Sequence, residues 1–93
     1  MTVILIVNKS DRDVSWFCYN SYDDSKGIAL FKGSGDLAAG GSLSYEPPKN
    51  STGNYYVRFT YPKGSLTEFA GCYTQGQDVT LSGSGGQYKA SHN

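Results

Sequence analysis

Residues that end secondary structure interrupt this chain about every ten positions, and they limit what it can fold into. Between these breaks at glycine, proline, asparagine and serine, apolar residues alternate with polar ones or form short blocks. No segment has the three- and four-residue apolar spacing of an amphipathic helix. The pattern predicts an all-β fold of about seven short strands, arranged as an antiparallel β-sandwich, with a small β-barrel as the alternative.

Turn-forming residues set the boundaries of the predicted strands. Pro47-Pro48 ends the fourth strand, and Gly53-Asn54 marks the turn into the fifth. The first strand is predicted to be buried on both faces, and the Gly/Ser-rich tail leaves room for a last edge strand around Gln87–Lys89. The predicted strands are Val3–Asn8, Asp13–Tyr19, Gly27–Phe31, Ser42–Glu46, Tyr55–Tyr61, Leu66–Tyr73 and Asp78–Ser82.

Length and charge exclude several classes of protein. The 93 residues suffice for one domain, spanning 1–93, with a single modest core. Eight Lys and Arg residues balance eight Asp and Glu residues, so no basic surface for nucleic acid is expected. The longest apolar run, Val3 to Val7, is far shorter than the ~20 residues of a membrane span and does not resemble a signal peptide. The expected location is intracellular, or extracellular after non-classical release.

Metal binding is not expected from the cysteines or the acidic pairs. Cys18 and Cys72 lack the close spacing of metal ligands, and they are interpreted as buried thiols, with a disulfide as the alternative. Asp11-Arg12-Asp13 and Asp23-Asp24 offer carboxylates that calcium could use. These pairs are predicted at opposite ends of the molecule, so the sequence favours no metal and no cofactor.

Catalytic groups are scarce, and the chain is predicted not to be an enzyme. His92 is the one histidine, and it falls in a tail predicted to be mobile. Glu46 and Glu68 are predicted on outward strand positions, whereas a glycosidase needs two carboxylates across a cleft. The segment 33–38, GSGDLA, matches a dinucleotide-binding pattern, but Gly40-Gly41 follow at once, so its glycines are interpreted as turn residues.

Tyrosine dominates the aromatic residues, with eight tyrosines against four phenylalanines and one tryptophan. A phenol ring has an apolar face and a hydrogen-bonding tip, which suits a surface that meets a polar ligand. If successive strands run antiparallel, the even-numbered connections emerge at one end of the molecule and the odd-numbered ones at the other. The even-numbered connections form a predicted tyrosine rim of Asn20, Tyr22, Asp23, Asp24, Asn50, Asn54, Tyr73, Gln75 and Gln77.

The composition of this rim is typical of a carbohydrate site. A sugar packs its C–H face on an aromatic plane, and its hydroxyls pair with amides and carboxylates. Tyr22 or Tyr73 is expected to stack on the sugar, unless both are strand-end aromatics that pin loops to the core. The residues expected to hold its hydroxyls are Asn20, Asp23, Asn54 and Gln75.

Alternation along the fifth strand gives a second candidate patch. Asn54, Tyr56 and Arg58 are predicted on its outer face. An exposed arginine beside aromatic rings can bind ligand hydroxyls or carboxylates. The alternative is a cross-strand ion pair of Arg58 with Glu68 or Glu46.

Both faces of the second strand are apolar. Val14, Trp16 and Cys18 share one face, while Phe17 and Tyr19 share the other. This pattern predicts a central strand that is covered on both sides, or an outer face that a partner chain buries. Phe17 and Tyr19 are therefore a candidate dimer surface.

Several segments resemble those of small fungal fruit-body proteins. They are Val7-Asn8-Lys9-Ser10, Trp16-Phe17-Cys18-Tyr19-Asn20, Gly40-Gly41-Ser42 and Gly53-Asn54-Tyr55-Tyr56-Val57-Arg58-Phe59. Within that group the chain is similar, in length, cysteine count and composition, to the small mushroom lectins that bind terminal α-galactosyl sugars. The resemblance implies a leaderless, non-covalent homodimer that binds α-galactosides such as Galα1-4Gal and contacts membranes only through glycolipids. It assigns no role to any residue.

Two other functions fit the same tyrosine rim. Aromatic residues with a polar border also form protein-binding hot spots, so an inhibitor or another defence protein is one alternative. A membrane-active β-protein, whose exposed tyrosines meet lipid head groups, is the other.

Overall fold

The computed structural model describes residues 3–20, 31–47 and 55–93. Within these ranges the chain forms eight strands and no helix, so no described helix could cross a membrane. The strands are β1 Ile4–Asn8, β2 Val14–Asn20, β3 Phe31–Leu37, β4 Ser42–Tyr45, β5 Tyr55–Thr60, β6 Phe69–Thr74, β7 Val79–Ser84 and β8 Gln87–His92.

The strands form two four-stranded sheets that pack together through one core. The first sheet has the order β4-β1-β7-β8, and the second has the order β3-β2-β5-β6. This arrangement confirms the predicted β-sandwich over the barrel. The pairings are antiparallel except that of β1 with β7, which is parallel, so the first sheet is mixed.

The direction of the chain alternates from strand to strand, as predicted. Each antiparallel pair joins an odd-numbered strand to an even-numbered one, while the parallel pair joins two odd-numbered strands. The odd-numbered connections accordingly meet at one end, where the amide of Gly40 donates to the Asn8 carbonyl and that of Lys63 donates to the Asp13 carbonyl, each at 2.8 Å. Of the even-numbered connections, those within residues 21–30 and 48–54 lie outside the described ranges.

Period-two alternation sorts the side chains of β1. Ile4, Ile6 and Asn8 are fully buried toward the core, whereas Leu5 and Val7 are only half-buried. The prediction that this strand is buried on both faces is therefore wrong for its outer face. Leu5 and Val7 pair with serines of β4, which is an edge strand too polar and too small to cover them.

The predicted third strand, Gly27–Phe31, lies outside the described residues except for Phe31, where β3 begins. β3 includes Gly33 and Gly35, so the interpretation of these glycines as turn residues is wrong. Their missing side chains leave room for aromatic rings of the core: a Cβ on Gly33 would lie 2.7 Å from Cζ of Tyr45, and one on Gly35 would lie 2.9 Å from Nε1 of Trp16. The rings thus replace the side chains that a strand normally supplies.

The tail is an ordered edge strand. The predicted strand around Gln87–Lys89 is confirmed and continues as β8 to His92, which pairs with Val79 of β7. The prediction of a mobile tail at His92 is therefore wrong. β6 begins later than predicted. Leu66, the first residue of the predicted strand, is 78% exposed, and the first paired residue is Phe69.

The two cysteines are free thiols, as interpreted from the sequence. Cys18 of β2 and Cys72 of β6 both pair with Val57 of β5, so one strand separates them. Two strand spacings amount to roughly 9.5 Å, beyond the ~7 Å over which a disulfide can form. Burial raises the pKa of each thiol to about 11, which keeps both protonated at neutral pH.

Candidate functional site

The outer face of the β3-β2-β5-β6 sheet carries a continuous group of aromatic side chains around one arginine. They project away from the core because the alternate positions of the same strands, such as Cys18 and Val57, point into it. We call this surface the aromatic face, and it consists of Phe17, Tyr19, Tyr56, Arg58, Phe69 and Tyr73.

Three tyrosines form a ladder across the aromatic face. Tyr19, Tyr56 and Tyr73 are opposite one another on β2, β5 and β6. Their ring centroids lie 6.3 Å apart between Tyr19 and Tyr56, and 4.8 Å apart between Tyr56 and Tyr73. Tyr56 lies against Gly71 of β6, since a Cβ on that glycine would be 2.7 Å from the Tyr56 Cζ. The ladder ends at the edge strand with Tyr73, whose side chain is 58% exposed.

Arg58 occupies the middle of the aromatic face, opposite Phe17 on one side and Gly71 on the other. Its Cζ lies 4.4 Å from the ring centroid of Phe69 and 5.7 Å from that of Tyr19. Both distances fall in the range of cation–π attraction. The guanidinium is therefore held between rings on two neighbouring strands.

No carboxylate neutralises Arg58 in the described parts of the chain. The predicted ion pair with Glu68 or Glu46 does not form there, and the ion pair that does form joins Lys63 to Asp36 at 3.3 Å. The buried Nε of Arg58 has no hydrogen-bond partner among the residues that the structure describes. A buried donor left without an acceptor costs about 1–3 kcal/mol, which an acceptor on a ligand or a water molecule would offset.

The phenol of Tyr56 responds to both burial and charge. Burial raises the pKa of Tyr56, and the positive charge of Arg58 opposes that rise. Tyr56 therefore stays protonated at neutral pH and keeps a hydroxyl that can donate as well as accept a hydrogen bond.

A pocket of about 150 Å³ adjoins the aromatic face at Tyr73. The connection between β6 and β7 shapes it: the Thr74 hydroxyl donates to the Gln77 carbonyl at 3.0 Å and accepts from the Gln77 amide at 2.9 Å. The Gln77 Oε1 lies 2.8 Å from Nδ1 of His92, which donates because an amide oxygen can only accept. The lining residues are Tyr73, Thr74, Gln75, Gln77 and His92.

The predicted ligand-binding residues fall into two groups. Tyr56, Arg58 and Tyr73 lie together on the aromatic face, and Gln75 lines the adjoining pocket beside Tyr73. The alternative in which Tyr73 only pins a loop to the core does not fit its exposure. The others, Tyr22, Asp23, Asn54 and the side chain of Asn20, lie outside the described residues.

The sequence interpretation missed Phe69 and His92 and treated the aromatic face as two surfaces. Alternation within β6 places Phe69 on the same face as Tyr73, a signal that was available. Phe17 and Tyr19 were predicted as a dimer surface, yet they share the face of Arg58. A dimer contact through these two residues and a ligand site at Arg58 therefore compete for one surface.

The carboxylates at the opposite end of the molecule serve structural roles. The Tyr88 hydroxyl donates to Asp11 at 2.5 Å and thereby holds the pKa of this carboxyl below its ordinary value. Asp13 accepts from the amide of Ala39 at 3.0 Å. Within residues 3–20, 31–47 and 55–93, no three His, Cys, Asp or Glu side chains are grouped to hold a metal ion.

Comparison with known proteins identifies no relative for this chain. No model of a protein family matches the sequence, and a search of characterised proteins finds no significant match. The aromatic face and its adjoining pocket are therefore the features of this chain that indicate a function.

Proposed function

We propose that this protein is a non-enzymatic carbohydrate-binding protein that takes glycans at the aromatic face and the pocket beside it. The observation that carries the proposal is Tyr73, 58% exposed and held by its contact with Tyr56 at 4.8 Å. A rigid, exposed phenol ring offers a plane on which the C–H face of a sugar can pack.

Polar groups beside the ring supply the second requirement of a sugar site. Gln75 and Gln77 line the pocket next to Tyr73 and present amide donors and acceptors to vicinal hydroxyls. On the other side of Tyr73, the tyrosine ladder leads to Arg58, whose donors are not used by any described carboxylate. A sugar on Tyr73 is thus bordered by hydrogen-bonding groups on both sides.

The proposed ligand is a glycan with a terminal α-galactosyl residue, such as Galα1-4Gal. This specificity comes from the resemblance to the small mushroom lectins, and the aromatic face is compatible with it. A shallow site binds one sugar weakly, so two sites in one homodimer would raise the avidity for a glycolipid surface.

The proposed homodimer has to leave the aromatic face open. The guanidinium of Arg58 lies 5.7 Å from the ring of Tyr19, so a dimer contact through Phe17 and Tyr19 would cover the ligand site. We assign the aromatic face to the glycan and the dimer contact to a different surface.

Binding without catalysis agrees with the groups near the site. The raised pKa of about 11 leaves Cys18 and Cys72 as poor nucleophiles. Glu68 and Glu46 are exposed, and neither lines the described pocket beside Tyr73. These features support a lectin rather than a hydrolase.

A glycan array followed by inhibited hemagglutination tests the proposal. We expect binding to α-galactosides, agglutination of cells that display them, and inhibition by the free disaccharide. Folded protein that binds no galactoside would sink the proposal. Leakage of liposomes without glycolipid would favour the membrane-active alternative, and a protein partner that free sugar does not displace would favour the interaction domain.

A further inference from the structure

No described carboxylate balances the positive charge of Arg58. In the described parts of the chain its guanidinium pairs with no carboxylate, and its buried Nε donates to no acceptor. Lys63, a cation near the other end of the same sheet, differs in this respect because Asp36 lies 3.3 Å from its Nζ. The aromatic face thus presents a fixed positive charge that no carboxylate of the described residues neutralises.

The surroundings of Arg58 favour a planar or tetrahedral anion over water. Rings of Phe69 and Tyr19 approach the guanidinium from two sides, at 4.4 Å and 5.7 Å from its Cζ. They hold it in place and displace solvent, which strengthens its interaction with a negative charge. Carboxylates and sulfates offer two charged oxygens that match the two parallel N–H groups of the guanidinium fork, whereas a hydroxyl offers one uncharged oxygen.

The position of Arg58 relative to Tyr73 suits one ligand that contacts both. Arg58 pairs with Gly71, and Tyr73 is two residues further along β6 on the same face. Such diagonal neighbours lie roughly 7 Å apart, which is the scale of one sugar residue with its substituent. A sugar that stacks on Tyr73 can therefore extend a charged substituent to Arg58.

We propose that Arg58 forms a subsite for the acidic group of a glycan, a carboxylate or a sulfate ester, next to the sugar-stacking ring of Tyr73. The inference rests on the proposed glycan binding and adds the chemical class of the preferred ligand. Neutral α-galactosides bind through Tyr73 and the pocket, and an acidic substituent on the same sugar strengthens binding through Arg58.

Calorimetry with a matched pair of ligands tests the subsite. The pair is a neutral α-galactoside and the same galactoside carrying a sulfate, each titrated at low and at high salt. We expect the sulfated ligand to bind about tenfold more tightly or better at low salt, since one charge-assisted pair supplies a gain of this size. High salt should reduce this preference and leave the affinity for the neutral ligand unchanged.

Two variants distinguish a specific role of Arg58 from the effect of the protein's net charge. Arg58→Gln should abolish the preference, so that the sulfated and the neutral ligand bind this variant with equal affinity. Lys89→Gln, at an exposed position on β8 of the other sheet, makes the same change in net charge and should keep the preference. An equal loss in both variants would overturn the proposal.

Nitrogen-15 spectra of the wild-type protein provide a measurement that needs no variant. The chain has only two arginines, Arg12 and Arg58, so the Nε resonances are simple to assign. Sulfated ligand should shift the Arg58 resonance, and the neutral ligand should shift it much less. Inorganic sulfate alone should compete only weakly. If it binds as tightly as the sulfated glycan, the subsite takes free anions and the assignment to glycans is wrong.

The outcomes distinguish this inference from the proposed function. Equal affinities for the neutral and the sulfated galactoside would refute the acidic subsite and leave the lectin proposal intact. Failure to bind either ligand would refute both. Binding of the sulfated ligand alone, lost in Arg58→Gln, would support the subsite and contradict the neutral specificity.

Discussion

Tyr56 and Tyr73 carry the same side chain on neighbouring strands, yet their surroundings give them different roles. Tyr56 lies against Gly71 with rings on both sides, and burial raises its pKa. Tyr73 stands at the edge strand with most of its ring open to solvent. Tyr56 therefore supports the aromatic face from within, and Tyr73 is the residue placed to meet a ligand.

We predict that Tyr73→Ala lowers the affinity for an α-galactoside by about tenfold or more, because an aromatic contact contributes roughly 1.5–3 kcal/mol. Tyr73→Phe keeps the ring and should retain most of the affinity. Leu66→Ala is the matched control, since it removes an exposed apolar side chain from the connection between β5 and β6. Calorimetry measures all three, and unchanged affinity in Tyr73→Ala would refute the stacking role.

The buried thiols give a prediction that depends on pH. With a pKa of about 11, roughly one in a thousand molecules carries a thiolate on Cys18 or Cys72 at pH 8, compared with roughly one in ten for an unfolded chain whose pKa is near 9. Alkylation should therefore be at least about a hundredfold slower in the folded protein and accelerate as pH rises toward 11. Mass spectrometry should find two alkylated cysteines after denaturation without reductant, and a single oxidised species would contradict free thiols.

Residue-level prediction from the sequence succeeded where alternation within one strand was enough. Tyr56 and Arg58 lie on the outer face as expected, because neighbouring positions of a strand point to opposite sides. The contact of Arg58 with Phe69 and Tyr19 depends on how three strands pair. Which residues lie opposite one another depends on the pairing register of the whole sheet. The apolar pattern of one strand does not specify that register.

At the scale of strands, the interpretation of two glycines as turn residues is wrong. Gly33 and Gly35 suggested a turn, but they lie in β3 beneath the rings of Tyr45 and Trp16. Trp16 lies on β2, directly opposite Gly35, whereas Tyr45 lies on β4 of the other sheet, and the two ring centroids are 5.2 Å apart. The local sequence could not show that glycine is needed there for the packing of two large side chains.

We predict that Gly35→Ala destabilises the protein by about 1–3 kcal/mol, the usual range for an overpacked core. The added Cβ would lie 2.9 Å from Nε1 of Trp16 and 3.2 Å from Cε2, so the indole must move. Urea unfolding followed by tryptophan fluorescence measures the effect. Ser34→Ala, at the exposed neighbouring position of β3, is the control and should change stability by less than about 0.5 kcal/mol. Equal stability of the two variants would contradict the packing argument.

At the scale of the whole molecule, the alternating course of the chain determines which surfaces can carry function. Backbone hydrogen bonds tie the odd-numbered connections to one another at one end, through pairs such as Asn8 with Gly40 and Asp13 with Lys63. The aromatic face and its pocket lie instead on the outer side of one sheet and beside the connection between β6 and β7. The fold class was predictable from turn spacing, whereas the merging of two predicted patches into one face depended on strand order.

We predict that Phe17→Ser leaves the mass of the proposed homodimer unchanged and weakens glycan binding. Phe17 lies directly opposite Arg58, so its loss perturbs the ligand surface. Light scattering over a range of protein concentrations measures the mass, and calorimetry measures binding. Conversion of the dimer to a monomer by this substitution would instead identify Phe17 and Tyr19 as the subunit contact.

The parallel pairing of β1 with β7 has a consequence for biosynthesis. Ile6, near the start of the chain, pairs with Val79, near its end, and both lie in the interior of the same sheet. A nascent chain on the ribosome cannot complete this sheet until β7 has left the exit tunnel. Contacts between such distant segments also slow folding. β1 must therefore wait, with its apolar residues unpaired on one side, until β7 has been synthesised.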